Sequence, residues 1–141
     1  MSDAFHLHEK LAADTEKVAD LRLCRCLLMR DARYPWLILV PRIEGLRELH
    51  EVPEPERAQL FVEIEQASLA LQQVTNPYKL NVAALGNQVP QLHIHVIARR
   101  TDDLAWPGPV WGVGASQDYD KATMQALLGA LRAKLNTSDS A

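Results

Sequence analysis

The chain has little cysteine, no basic excess and no long apolar run, and each shortage removes a class of protein. Only two of its 141 residues are cysteine, Cys24 and Cys26. They stand two apart, so on a strand both side chains face one side. A disulfide over so short a span would be strained, and a pair of small half-buried thiols in a strand is expected instead. Lys and Arg number 15 against 18 Asp and Glu, a formal net charge of −3. This balance excludes a generic nucleic-acid binder, which carries a basic excess, but leaves small anionic ligands open, because local charge decides those. No apolar run approaches the roughly 20 residues needed to span a bilayer. The stretch from Met1 to His6 lacks the basic and apolar regions of a signal peptide. The expectation is a cytoplasmic protein with neither a membrane nor a nucleic-acid partner.

What is present reads as one compact domain over residues 1–141, with 48% apolar and 23% charged residues. Leu7, Leu11, Ala12 and Val18 lie among charges at helical spacing, which predicts a short helix over 7–19. Residues 21–29 read as a strand, 30–35 as a polar turn closed by Pro35, and 36–40 as a short apolar strand stopped by Pro41. A long helix is predicted over 54–75. Pro55 sits in its first turn, Glu54 and Glu56 suit its positive end, and Leu60, Ile64, Ala67, Leu71 and Val74 form one apolar stripe. Further strands are expected over 78–85 and 90–98, joined by the turn Gly86-Asn87-Gln88, and a last amphipathic helix over 118–135, leaving 136–141 as a frayed tail. The class is α+β with a mainly antiparallel sheet.

One segment carries chemistry. Gln91-Leu92-His93-Ile94-His95-Val96-Ile97 alternates with period two. On a strand, Gln91, His93 and His95 share one face, while Leu92, Ile94 and Val96 seal the other against the long helix. Neutral imidazole is a nucleophile or general base near pH 7 and a common metal ligand. A His-x-His pair by itself is weak, and the second one, His6-x-His8, reads as a solvated surface pair. The turn before the strand adds weight, because Asn87 and Gln88 bring amide donors suited to a phosphate oxygen. Arg30, Arg33, Arg42, Arg99 and Arg100 flank the strands and could add local positive potential, although a solvated surface charge is the plainer reading of each.

GNQVPQLHIHVIAR resembles the signature of the histidine triad (HIT) superfamily of nucleotide hydrolases and transferases, and WLILVPR resembles its apolar strand ending in Pro-Lys/Arg. The likeness covers about residues 21–112. It implies a HIT-like sheet of about four to five strands packed on one long helix, with additional N- and C-terminal helices. His93 falls on the family's central, nucleophilic histidine and His95 on the third, while Asn87 and Gln88 fall on phosphate-binding positions. Gln91 replaces the first triad histidine, Trp36 stands where many relatives carry a further histidine, and Asn81 and Asn87 both stand for a conserved asparagine.

The resemblance implies attack by His93 on the α-phosphorus of a dinucleoside polyphosphate or nucleoside phosphoramidate. A nucleotidyl-histidine forms and water then releases the nucleoside monophosphate. His95 would stabilise phosphoryl oxygens or the leaving group, and Gln91 would orient neighbouring groups. No cofactor or metal is implied, magnesium entering only as the escort of a polyphosphate. The implied partners are a small-molecule nucleotide and a second copy in a homodimer. The base pocket is expected to draw on residues such as Leu28 or Leu39. Trp106 and Trp111 either reach the partner's site or cap the edge of the core. Two other classes compete: a nucleotide-binding module with little or no turnover, and a metal-binding protein using His93 and His95, which needs a further ligand.

Overall fold

A computed structural model describes residues 5–139, with side chains to residue 135. The chain opens with α1 (Glu9–Asp14), β1 (Thr15–Asp20), β2 (Cys24–Met29) and β3 (Trp36–Pro41). A 3-10 turn (Leu49–Glu51), α2 (Glu54–Thr75), β4 (Lys79–Ala83), β5 (Ile94–Arg99) and α3 (Lys121–Asp139) follow. The strands form one sheet in the order β1-β2-β3-β5-β4, every neighbouring pair antiparallel. This five-stranded sheet with three helices is the expected α+β architecture.

The expected helix over 7–19 is half strand. α1 stops after a turn and a half, and Thr15 begins β1, an edge strand paired with β2. β-branched Thr15 and Val18, both buried, suit a pleated surface, and their packing outweighs the weak helical pattern. The last strand also starts later than expected. Pro90 and a bend at Gln91 keep residues 90–93 off the ladder, so β5 begins at Ile94. α3 runs beyond 135 to Asp139, taking in much of the supposed tail; Ser140 and Ala141 lie outside the described residues.

Two-residue alternation divides the sheet into two faces. Cys24, Cys26 and Leu28, Leu37 and Leu39, and Ile94, Val96 and Ala98 point to the helical side. There they pack with Leu60, Ala67 and Leu71 of α2 and with Leu128, Leu131 and Leu135 of α3. Leu27, Trp36, Ile38, Val40 and Ile97 point to the opposite side, against Leu11, Val89 and Val110. The helical side buries more of the large apolar side chains and so supplies more of the driving force. α2 ends as its sequence directs: Asn76 adopts a left-handed conformation (φ 49°) and its N–H returns to the Gln72 carbonyl at 2.9 Å.

Glu63 is fully buried on the inward face of α2. Its carboxylate accepts the backbone N–H groups of Leu23 (2.8 Å) and Cys24 (2.7 Å) and the Gln59 amide (2.6 Å). A charge in this position is tolerable only because each oxygen is hydrogen-bonded. The carboxylate thereby fastens the start of β2 to α2 on the side away from the histidines.

Candidate active site

His95 lies within β5, opposite Ile38 on one side and Ala83 on the other. His93 lies just before the strand. The Nδ1 of His93 is 2.6 Å from the backbone carbonyl of Gln91. A carbonyl can only accept, so the ring hydrogen is on Nδ1 and the lone pair on Nε2. His95 has the opposite tautomer. The indole N–H of Trp36 donates to His95 Nδ1 at 3.0 Å, which leaves the imidazole hydrogen on Nε2. The two rings meet edge to face, 4.8 Å between centroids. The pair therefore offers one ring-nitrogen acceptor and one ring N–H donor side by side, set by a backbone carbonyl and an indole.

Both imidazoles are neutral near pH 7. Burial pushes His93 below its ordinary value; the Gln91 carbonyl opposes this and His8 nearby adds to it. Burial, with His93 beside it, pushes His95 down to about 4. Trp111 closes the back of the pair, its ring 5.1 Å from His95 and 5.9 Å from Trp36, edge-on to both.

The rings open into a cavity of about 450 Å³, of a size that takes a small-molecule ligand. Asn87 and Gln88 line it from the turn after β4, where Gly86 takes a positive φ of 76°. Of the five expected site residues, the fold brings four together here: His93, His95, Asn87 and Gln88.

Gln91 is the fifth, and it does not join the row of side chains that strict alternation implies. Its carbonyl serves His93, but its amide turns to the N-terminal segment, accepting from the His8 N–H at 2.8 Å and donating to the His6 carbonyl at 2.9 Å. The bend that delays β5 breaks the parity between residues 91 and 95. Leu28 and Leu39 are also misplaced, since both are fully buried on the helical face; Met29 and Ile38, one position away, line the cavity instead. Asn81 is bound to Arg99 at 2.8 Å, so Asn87 is the asparagine at the cavity.

The arginines have other employment. Arg99 is buried, not solvated: it pairs bidentately with Asp103 (2.8 and 2.9 Å) under the rings of Tyr34 and Trp106. Arg33 is held by Asp31, Arg30 by Glu16, Arg42 by Asp20 and backbone carbonyls, and Arg100 by Asp102. Within this chain Trp106 packs on Tyr78, and Trp111 packs on His95 and Trp36. Sequence reasoning missed Lys10, Leu11 and Asp14, which form one wall of the cavity from α1; their signal was hidden by reading residues 7–19 as a single helix. Among the described residues no group of three or more His, Cys, Asp and Glu is placed to hold a metal ion, and no helix is long and apolar enough to cross a membrane.

Comparison with known proteins identifies the family and the fold. The HIT domain model matches residues 10–102. A histidine triad protein from Bradyrhizobium japonicum is 49% identical, with a TM-score of 0.92 over 94% of this chain and 98% of that one. One from Marinobacter aquaeolei is 45% identical, with a TM-score of 0.91 over 94% and 97% of the two chains. One from Sinorhizobium meliloti is 39% identical, with a TM-score of 0.91 over 94% and 98%. No curated protein matches. On the family match, these likenesses and the paired imidazoles, the chain belongs to the histidine triad family, generally one of nucleotide-binding hydrolases and transferases.

Proposed function

We propose that this chain hydrolyses or transfers nucleotides at an α-phosphorus through a covalent nucleotidyl-His93. The observation that carries this reading is the Nδ1–H of His93 on the Gln91 carbonyl at 2.6 Å. It leaves the Nε2 lone pair directed away from that bond, on a ring that burial keeps unprotonated. In the first step Nε2 attacks the phosphorus and the bond to the leaving group breaks, its electron pair departing with that group; a polyphosphate leaves as its anion, and a phosphoramidate nitrogen takes a proton from solvent as it leaves. The ring becomes cationic as the P–N bond forms, and the hydrogen bond from Nδ1 to the carbonyl strengthens as that charge develops. The N–H at Nε2 of His95 donates to a non-bridging oxygen or to the leaving atom. Asn87 and Gln88 supply amide donors to the remaining oxygens. Water then attacks phosphorus and releases one proton to solvent, the P–N electron pair returns to His93, and the nucleoside monophosphate leaves. Two easier displacements replace one difficult one.

A homodimer is part of the same proposal, supported by the exposed Phe61, Val62 and Leu69 on the outer side of α2. A second reading, a nucleotide-binding module without turnover, is favoured by the Trp36–His95 bond, which opposes protonation of the neighbouring imidazole. One experiment separates the two. The protein is incubated with adenosine phosphoramidate and with diadenosine polyphosphates, quenched, and searched by mass spectrometry for an acid-labile nucleotide adduct on His93. Adduct and product are expected from the native chain and neither from His93→Ala. Binding without product, unaffected by the alanine, would establish the module.

A further inference from the structure

The side-chain amide of Gln91 faces the N-terminal segment, away from the histidine pair. It offers a donor and an acceptor together, and it pairs with residues 6 and 8 much as a neighbouring strand would, with bonds of 2.9 and 2.8 Å. Glu44 accepts the His6 N–H on the far side of the same segment. His8 in turn caps α1, its Nδ1 accepting the Lys10 N–H at 3.1 Å. Fixing His8 therefore fixes the first turn of α1. At its other end α1 is tied by the Thr15 hydroxyl on the Leu11 carbonyl at 2.6 Å.

This turn brings Lys10 to the wall of the histidine cavity, where it is the one lysine or arginine among the described residues lining it. Its present partner is Asp14 at 3.0 Å, with the two side chains 53% and 42% exposed. A pair so open to water is held weakly, so the ammonium can exchange the carboxylate for a phosphate oxygen. None of the arginines near the motif lines this cavity.

We propose that Gln91 is a positioning residue that clamps the N-terminal segment onto the site, so that Lys10 receives the leaving-group phosphates of a polyphosphate-bearing nucleotide. The inference rests on the α-phosphorus reading given above and names the substrate class that reading leaves open. Attack on a dinucleoside polyphosphate expels an anionic phosphate chain, and a cation beside the cavity favours its departure. A phosphoramidate expels a single neutral nitrogen, which gains nothing from Lys10. The cation thus discriminates between two substrates that share the same nucleophile.

The test compares kcat/KM for diadenosine tetraphosphate with kcat/KM for adenosine phosphoramidate, expressed as a ratio, in the native chain, Lys10→Met and Gln91→Leu. Lys10→Met is expected to lower the ratio about tenfold, the size of one charge-assisted contact. Gln91→Leu keeps the backbone carbonyl on His93 but releases the segment, and should lower the ratio in the same direction. Adding Lys10→Met to Gln91→Leu should then cost little more. An unchanged ratio in Lys10→Met overturns the role of Lys10. An equal loss with both substrates in Gln91→Leu overturns the clamp and leaves Gln91 merely structural. Failure of the underlying reading looks different: no turnover of either substrate and no adduct on His93. Calorimetry then reads the same ratio from the affinities for adenosine tetraphosphate and AMP, and equal weakening of both by Lys10→Met rejects the inference as well.

Discussion

Replacing Trp36 by Phe removes the hydrogen-bond donor that His95 Nδ1 has in the fold. Trp36 is 4% exposed and His95 5%, so water has little access to a vacated Nδ1. Leaving a buried acceptor unpaired costs about 1–3 kcal/mol. For a chain of 141 residues this lowers the melting temperature by about 3–10 °C. The same bond also bears on the titration of His95. Trp36 donates to the nitrogen that must gain a proton when the imidazole ionises, so the indole stabilises the neutral form. Losing a hydrogen bond of about 0.5–1.5 kcal/mol should move the His95 titration upward from about 4 by roughly half a unit to one unit.

The linkage to stability has a definite sign. The folded value of His95 lies below the ordinary 6.5, so between about 6.5 and about 4 the unfolded chain binds more protons than the folded one. Stability is therefore full above pH 6.5 and falls as the pH drops towards 4, by about 3 kcal/mol at 1.36 kcal/mol per unit. Trp36→Phe should shrink that acid loss while lowering stability at neutral pH. Imidazole NMR titration and melting curves at pH 7 and pH 4.5 measure both. A variant that melts within 1 °C of the native chain, with His95 titrating unchanged, would refute the argument.

Two further outcomes follow from the helical side of the sheet. Glu63→Ala orphans the buried N–H groups of Leu23 and Cys24, and should cost about 3–5 kcal/mol in urea unfolding, with Glu63→Gln losing clearly less because one acceptor remains. Burial, with Glu63 beside it, pushes the Cys26 thiol up to about 12 and raises Cys24 as well. A thiol reagent should therefore modify neither cysteine in the native chain and both after denaturation; rapid native labelling would contradict that placement.

How much of the site was legible follows from which residues obey local rules. Strict alternation between Leu92 and Ile97, together with amides in the turn before it, was enough to single out His93, His95, Asn87 and Gln88, because those signals depend on neighbours within a few residues. The stripe on α2 and its ends at Pro55 and Asn76 were legible for the same reason. Parity was not. Whether Leu28 or Met29 faces the cavity depends on which side of the sheet the helices cover, and that is settled between elements far apart in the chain. The bend after Pro90 likewise turned Gln91 away from a row that an unbroken strand would have completed.

The sequence by itself determined the antiparallel α+β class, the long helix and the two imidazoles with their family, since period, caps and motif are properties of adjacent residues. Only the tertiary structure decided the proton on the His95 ring and the direction of the Gln91 amide, whereas the proton on His93 follows from a carbonyl two residues away. The Trp36 indole reaches His95 across 59 positions, and the backbone of the N-terminal segment reaches Gln91 across more than 80. Hydrogen bonds of that separation exist only once packing has brought the strands together, and no local pattern can announce them.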